Sequence, residues 1–301
     1  MPSPRGGKAP TLLKKALLRG CVSFLATCSV LATLAAPVRG QDANLVAARQ
    51  GTMPIVLTAP HGGSAVVPGV AVRTNGTIVQ DERTREITDM VADKLESRFC
   101  QRPYTVEALF HRRYIDANRP EAEAFEQPAA RPYYLGYHQQ VRSYVDEVRQ
   151  LYPDGAILVD VHGQAENPDT IHRGTQNGLT MKGIVDRRGV TALVGENSIF
   201  GRLQALGYTV FPANTPPGNP RESPLYNGGY TVQTYGSHQP NGIDAIQIEI
   251  GANFRRVAAL PQLTDDLTDA IGTYYTTFVK DQPRCDLGGS PAPPDAATGD
   301  Q

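Results

Sequence analysis

Apolar runs that end in polar side chains recur along the chain and predict the strands of a buried sheet. These runs, together with one alternating segment, predict strands over residues 54–60, 104–110, 156–161, 208–211 and 244–250. An unbroken apolar run is typical of a central strand covered on both faces. In the last segment isoleucines alternate with Gln247 and Glu249, so these two side chains share one face. Asp160 and His162 likewise share a face at the end of a strand, and His61 follows the first strand.

Apolar residues at three- and four-residue spacing predict helices between these strands. The predicted helices cover residues 82–99, 133–151, 191–206 and 260–279. Asp81 is predicted to cap the first helix, and Glu82 and Glu86 in its first turn suit the helix dipole. A short hairpin is expected around Asn75-Gly76, and the Pro- and Gly-rich segment 214–229 is expected to be a substrate loop. The alternation predicts a three-layer α/β/α protein whose mostly parallel or mixed central sheet is covered on both faces.

The N-terminal segment has the pattern of an export signal. Basic residues precede the apolar stretch 21–36, which is too short to span a bilayer. We therefore expect a signal peptide over 1–40, a single catalytic domain over 41–285 and a disordered tail over 286–301. A lipid-modified Cys28 is an alternative. The expected product is a periplasmic or secreted protein with no stable membrane insertion after signal removal.

Charge and motifs exclude several function classes. Residues 1–40 carry six basic and no acidic residues, so the remainder has 23 Lys and Arg against 30 Asp and Glu, a net charge of −7. This argues against nucleic acid or an anionic membrane as the main partner. The sequence has no P-loop and no Gly-x-Gly-x-x-Gly loop, which leaves nucleotide chemistry unsupported. It also lacks the Gly-x-Ser-x-Gly pentapeptide of serine hydrolases.

Two cysteines remain beyond the predicted signal, Cys100 and Cys285. In an oxidising compartment such a pair is expected to form a disulfide. Two unpaired thiols are the alternative. The sequence does not predict an oligomeric state.

His61 and His162 each follow a predicted strand and each precede glycine, which suggests a metal site at the carboxyl edge of the sheet. Catalytic zinc typically takes three protein ligands and leaves one position for water. The third ligand would be a carboxylate near the start of the first helix. The candidates there are Asp81, Glu82, Glu86 and Asp89.

Other charged residues suggest substrate chemistry. Arg112, Arg113 and Arg119 could form a fork for a substrate carboxylate, or they could be surface arginines paired with nearby glutamates. Glu249 lies in an isoleucine-rich strand, where a buried charge is costly unless it is used. It could be a general base for metal-activated water or a buried partner of an arginine.

Several segments, taken in order, resemble the N-formylglutamate amidohydrolase family. They are Ala59-Pro60-His61-Gly62-Gly63, Thr84-Arg85-Glu86-Ile87, Arg113-Tyr114-Ile115-Asp116-Ala117-Asn118-Arg119-Pro120, Asp160-Val161-His162-Gly163, Gly228-Gly229-Tyr230-Thr231 and Gln247-Ile248-Glu249-Ile250. The resemblance extends from about residue 52 to residue 254 and implies a fold like that of the zinc carboxypeptidases. It also implies an exported zinc-dependent amidohydrolase acting on an N-acyl amino acid or small peptide with a free carboxylate. A non-catalytic binding protein on the same fold, taking up a carboxylate or a metal, is the alternative.

The resemblance also implies roles for individual residues. His61 and His162 resemble the zinc-binding histidines, and Glu86 resembles the carboxylate ligand, with Asp81 and Asp89 as alternatives. Asn118 and Arg119 resemble the pair that holds a substrate carboxylate. Arg112 or Arg113 resembles the carbonyl-polarising arginine, and Glu249 resembles the general base.

Overall fold

A seven-stranded mixed sheet forms the centre of the computed structural model, which describes residues 45–215 and 221–279. Its strands are β1 (Val46–Arg49), β2 (Ile55–Ala59), β3 (Tyr104–Ala108), β4 (Ile157–Gln164), β5 (Ile171–Gly174), β6 (Val210–Phe211) and β7 (Asp244–Gly251). Their order across the sheet is β1-β3-β2-β4-β7-β5-β6. The central strands β3, β2, β4 and β7 are parallel, whereas β1 runs antiparallel to β3 and β5 antiparallel to β7. The carboxyl ends of β2, β4 and β7 therefore meet at one edge.

Helices cover both faces of this sheet, and the predicted three-layer α/β/α fold class is confirmed. The helices are α1 (Thr84–Phe99), α2 (Glu121–Ala124), α3 (Arg131–Leu151), α4 (Lys182–Arg188), α5 (Thr191–Val194), α6 (Ile199–Ala205), α7 (Tyr230–Tyr235) and α8 (Leu260–Tyr274). One apolar cluster joins the sheet to α1, α4, α5, α6 and α8. A second cluster joins the opposite face to α3 and α7.

The alternation along β4 determines which face carries the polar side chains. Val159 and Val161 pack in the cluster beneath α1 and α8, whereas Leu158 packs in the cluster beneath α3. Each such buried side chain stabilises the fold by about 1.5–3 kcal/mol. Asp160 and His162 have the parity of Leu158, so they lie on the α3 side. The apolar residues of β4 thus hold these two polar residues on the α3 face.

Two local predictions are wrong. The helix predicted over 191–206 is interrupted at Gly195, where a side chain would collide with the carbonyl of Thr191. A new helix begins after Ser198, whose hydroxyl caps it by accepting a hydrogen bond from the Gly201 amide at 3.0 Å. The hairpin predicted around Asn75-Gly76 is a loop, because the Asn75 amide bonds to a side chain, that of Glu126, at 2.8 Å.

Some predictions concern residues that the structure does not describe. The signal peptide 1–40, the tail 286–301 and Cys285 all lie outside the described residues. Cys100 is disulfide-bonded. No helix in the described part of the chain is both long enough and apolar enough to cross a membrane.

Glu107 provides a test of the sheet's electrostatics. It is buried on β3, and burial raises its pKa from 4.5 to about 7, although Arg85 donates a hydrogen bond to it at 3.2 Å. Between these pH values the folded chain binds more protons than the unfolded chain, so the stabilisation present below pH 4.5 is lost as the pH rises through about 7. Relative to Glu107→Gln, the wild type should lose about 3 kcal/mol of unfolding free energy across this window. Urea unfolding at about pH 4.5 and pH 8 measures this loss, and an equal pH response in both proteins would contradict it.

Candidate metal centre

Two histidines meet at the carboxyl edge of the sheet. His61 lies two residues beyond β2, and His162 lies within the neighbouring parallel strand β4. Both side chains are buried, and their ring centroids are 4.8 Å apart. The pairing predicted from the sequence is therefore present in the fold.

Asp81 is the carboxylate that lies between them. Its Oδ2 is 3.3 Å from His61 Nδ1 and 3.1 Å from His162 Nδ1. The three residues form a buried group that could hold a metal ion, with ligand atoms within 4.8 Å of one another.

Glu86, which the resemblance favoured as the carboxylate ligand, is not brought to the histidines. It is exposed on α1, whose buried side carries Thr84, Ile87 and Thr88 instead. The helix begins at Thr84 rather than at residue 82, after Arg83 in a left-handed conformation with φ of 66°. This entry leaves Asp81 outside the helix, and no side-chain cap forms. The alternative Asp89 lies 3.8 Å from Arg49 and is likewise not in the group.

In both histidines Nδ1 faces Asp81, and the partner of the other ring nitrogen, Nε2, determines whether Nδ1 can bind a metal. His61 Nε2 is 2.6 Å from Asp116 Oδ1, and His162 Nε2 is 2.9 Å from Asp160 Oδ2. A neutral ring carries hydrogen on one nitrogen, and the shorter distance to a carboxylate favours Nε2 in both rings, so each Nδ1 is left with a lone pair. Those lone pairs face a carboxylate oxygen of Asp81. Three electron-pair donors facing one another fit a metal cation, and carboxylates behind both histidines are typical of metal sites.

The charges at the site point to the same conclusion. Burial opposes ionisation of Asp81, but His61 and His162 hold the pKa of this carboxyl well below its usual range. Asp160 and Asp81 raise the pKa of His162 well above its ordinary value in spite of its burial, so without a metal ion this ring binds a second proton. The carboxylates around the ring thus favour a positive charge between these side chains, which a metal ion would supply in place of that proton.

A cleft of about 760 Å³ opens onto this group, and Glu249 lines it. Glu249 Oε1 is 4.0 Å from His162 Nδ1 and accepts a hydrogen bond from Gln247 Nε2 at 2.8 Å. Burial raises the pKa of Glu249, which favours its acting as a proton acceptor. The predicted general base therefore lies beside the candidate metal ligands.

The arginines divide into those in the cleft and one outside it. Arg112 lines the cleft and donates from Nε to Asp116 Oδ2 at 2.9 Å, with Nη1 3.4 Å from Asp81 Oδ1. Arg119 also lines the cleft. Arg113, the other candidate for the carbonyl-polarising arginine, is exposed and lies against the ring of His111 instead. The Tyr114 amide donates a hydrogen bond to the His111 carbonyl at 2.9 Å and closes a turn. This turn separates the side chains of the successive residues Arg112 and Arg113.

Asn118 lines the cleft, but its amide is engaged within the protein. Its Oδ1 accepts a hydrogen bond from the Thr231 amide at 2.8 Å, and its Nδ2 donates to Gln247 Oε1 at 3.4 Å. Asn118 therefore joins the loop before α2 to the start of α7. Asn118 and Arg119 were predicted to hold a substrate carboxylate together. Of these two, Arg119 has the side chain that is available to a carboxylate in the cleft.

Arg255 is a cleft residue that the sequence analysis missed. Its guanidinium is buried and donates to the carbonyls of Glu82, Gln164 and Ile250. A side chain at Gly163 would collide with this guanidinium. The glycine after His162 is the sequence feature that leaves room for Arg255.

Comparisons with known proteins support the fold. No protein-family model and no curated protein matches the chain. Among solved structures, the N-formylglutamate amidohydrolase from Ralstonia eutropha JMP134 matches with a TM-score of 0.54 and 17% identity over 76% of this chain and 97% of that chain. A gene product of Agrobacterium tumefaciens matches with a TM-score of 0.47 and 13% identity over 76% of this chain and 95% of that chain. Murine aminoacylase 3 matches with a TM-score of 0.34 and 14% identity over 76% of this chain and 66% of that chain. The last two scores are too low to carry an argument, and the first shows the fold alone.

Proposed function

We propose that the protein is a zinc-dependent amidohydrolase that cleaves the amide bond of an N-acyl amino acid, such as N-formylglutamate, or of a small peptide. The observation that carries this proposal is the convergence of His61 Nδ1, His162 Nδ1 and Asp81 Oδ2 beside Glu249 in one cleft. The fold likeness to an N-formylglutamate amidohydrolase supports the reaction class.

His61, Asp81 and His162 would hold the zinc ion. When bound, zinc would lower the pKa of a water molecule to about 7 and polarise the amide carbonyl. Glu249 takes a proton from the attacking water as the water oxygen forms a bond to the carbonyl carbon. Glu249 then returns that proton to the amide nitrogen as the carbon–nitrogen bond breaks. The products are a carboxylic acid and an amine.

Arg112 would stabilise the negative charge that develops on the carbonyl oxygen. Its guanidinium lies in the cleft and is anchored through Nε to Asp116. Preorganised positive charge of this kind is usually a large term in catalysis. Arg112 therefore takes the role for which the sequence left Arg112 and Arg113 as alternatives.

Arg119 would bind the free carboxylate of the substrate. It lines the cleft and donates from Nη1 to the carbonyl of Asn118 at 3.0 Å. Within residues 45–215 and 221–279, no carboxylate forms an ion pair with it, and Glu121 pairs with Arg131 instead. Arginine binds carboxylates bidentately, which also fixes the orientation of the substrate.

Replacing Arg119 with alanine should raise KM by about 10- to 100-fold and change kcat little, because a charge-assisted hydrogen bond used throughout the reaction is lost. The matched control is Arg113→Ala, which removes an arginine outside the cleft and should leave KM unchanged. Steady-state kinetics on an N-acyl amino acid and its methyl ester measures both effects. Equal KM values for Arg119→Ala and the wild type on the free acid would contradict the assignment.

A substrate panel tests the proposed function itself. The zinc-loaded protein would be offered N-formylglutamate, other N-acyl amino acids and short peptides, with release of amine as the readout. We expect hydrolysis that a chelator abolishes and added zinc restores. Stoichiometric binding of these compounds without turnover would instead indicate a binding protein on this fold.

Export and partner class are part of the proposal. The basic and apolar pattern of residues 1–40 supports secretion or a periplasmic location, and the net charge of −7 beyond it supports a small-molecule partner rather than nucleic acid. Expression of the full chain in a Gram-negative bacterium should yield a periplasmic protein that begins near Gln41. An intact N-terminus in the cytoplasmic fraction would contradict export.

A further inference from the structure

We propose that Gln247 is a positioning residue that holds one carboxylate oxygen of Glu249 and leaves the other for the attacking water. This inference rests on the proposed function of Glu249. Gln247 Nε2 donates to Glu249 Oε1 at 2.8 Å. Gln247 Oε1 accepts hydrogen bonds from the Gly229 amide at 2.6 Å and from Asn118 Nδ2 at 3.4 Å. The amide of Gln247 therefore links the candidate base to the wall of the cleft.

The orientation of this amide follows from its partners. The backbone N–H of Gly229 can only donate, so the Gln247 atom that faces it must be the oxygen. The NH₂ group of Gln247 must then face Glu249, where it requires an acceptor. The fold thus holds Glu249 Oε1 as a hydrogen-bond acceptor.

Strand geometry places these groups together. Gln247 and Glu249 are two residues apart on β7 and lie on the same face. In the register with β4, Gln247 lies opposite Asp160, and Glu249 lies opposite His162. Side chains opposite each other in neighbouring strands are in contact range, so the row that carries the histidine also carries the candidate base.

A close backbone approach completes the link. A side chain at Gly229 would collide with the side chain of Asn118. The absence of a side chain there lets the turn before α7 reach both Asn118 and Gln247. The same turn belongs to the cleft lining, as do Asn118 and Gln247. The cleft wall and the base are therefore connected through one glutamine side chain.

The consequence concerns which oxygen acts. Oε1 accepts a hydrogen bond from Gln247, and this is the hydrogen bond that the described residues make to the Glu249 carboxylate, whose side chain lines the cleft; Oε2 is left for the water. In the proposed reaction the water proton passes to Oε2, the water oxygen bonds to the carbonyl carbon, and Oε2 later gives the proton to the leaving nitrogen. Because a misplacement of about 1 Å can cost about 100-fold in rate, fixing Oε1 matters for turnover.

Gln247→Glu separates the two roles of this residue. A carboxylate at position 247 can still accept from Gly229 and Asn118, but it no longer offers the amide N–H to Glu249. Two carboxyl groups at this distance repel each other or share a proton, and either state disturbs the acceptor that the water needs. We expect kcat to fall by about 10- to 100-fold, the cost typical of losing a supporting contact of this kind. KM and zinc content should stay near their wild-type values.

Gln247→Met is the second variant, because it removes the contacts to both Glu249 and the wall. It should show the same fall in kcat, together with a rise in KM as the wall relaxes. Wild-type kcat in Gln247→Glu would overturn the inference. A rise in KM with unchanged kcat in both variants would also overturn it, since Gln247 would then act only on the wall.

A structural measurement keeps this inference separate from the proposed function. Crystal structures of the wild type and Gln247→Glu would show whether the Glu249 carboxylate turns when its donor is lost. If the wild type hydrolyses no amide, the proposed function fails, yet a turned carboxylate would still support the positioning role. An unmoved carboxylate would overturn it whatever the activity.

Discussion

Replacing Glu249 with glutamine is expected to lower kcat for amide hydrolysis by about 10²- to 10⁴-fold, the range typical of losing a general base. Glutamine has nearly the same shape but cannot take a proton from water. Zinc content should not change, because the candidate ligands are His61, Asp81 and His162. Single-turnover hydrolysis and metal analysis of the same sample measure both quantities.

The control for this variant is Glu123→Gln, which removes the same charge from an exposed position on α2. It should hydrolyse at the wild-type rate. If Glu249→Gln turned over as fast as the control, another residue would be the base. Loss of zinc in Glu249→Gln would instead show that the carboxylate supports the metal directly.

Asp81→Ala should lower zinc affinity by more than about 100-fold. Loss of a residue that only hydrogen-bonds to a metal ligand costs about 10- to 100-fold in affinity, and loss of a ligand should cost more. Asp81 lies between the Nδ1 atoms of both histidines, so its loss removes the only carboxylate of the candidate group. Zinc titration against a competing chelator measures the affinity, and hydrolysis should fall with zinc occupancy.

Glu86→Ala is the matched comparison, because it removes an acidic residue from the same stretch of chain. Glu86 is exposed on α1, so zinc affinity should stay at the wild-type value. The reverse result, with zinc lost in Glu86→Ala and kept in Asp81→Ala, would restore the ligand set that the sequence resemblance favoured.

The sequence predicted the parts of this site that depend on strand periodicity. His162 follows Asp160 by two residues in a strand, and Glu249 follows Gln247 in the same way, so a period of two determines which side chains share a face. His61 follows an unbroken apolar run, which predicts a central strand. The fold class followed from these strands and the helices between them.

The parts supplied by loops could not be predicted in this way. Asp81 lies before α1 and is a residue type that commonly caps helices. Arg83 adopts a left-handed conformation that moves Asp81 away from the helix start, and no sequence pattern indicates this conformation. The difference between Arg112 and Arg113 depends on one turn closed by a backbone hydrogen bond. Arg255 reaches the cleft through contacts to three carbonyls, and two of them, those of Glu82 and Gln164, are distant in sequence.

Short strands were missed for a different reason. β1 and β5 have four residues each, too few for a periodic pattern to stand out. β5 also carries two buried polar residues, His172 and Arg173, so its sequence shows no apolar run. Arg173 pairs with the buried Glu222 at 2.9 Å, a contact across 49 residues that only the fold brings together.

Metal analysis of the purified protein beside His162→Ala tests the central claim most directly, with hydrolysis of N-acyl amino acids measured on the same samples. The site described above predicts about one zinc per wild-type chain, as expected for a single three-ligand group. It also predicts that His162→Ala loses the zinc and the hydrolysis together. Equal zinc in both proteins, or no zinc in the wild type after incubation with the metal, would contradict a metal centre at His61, Asp81 and His162.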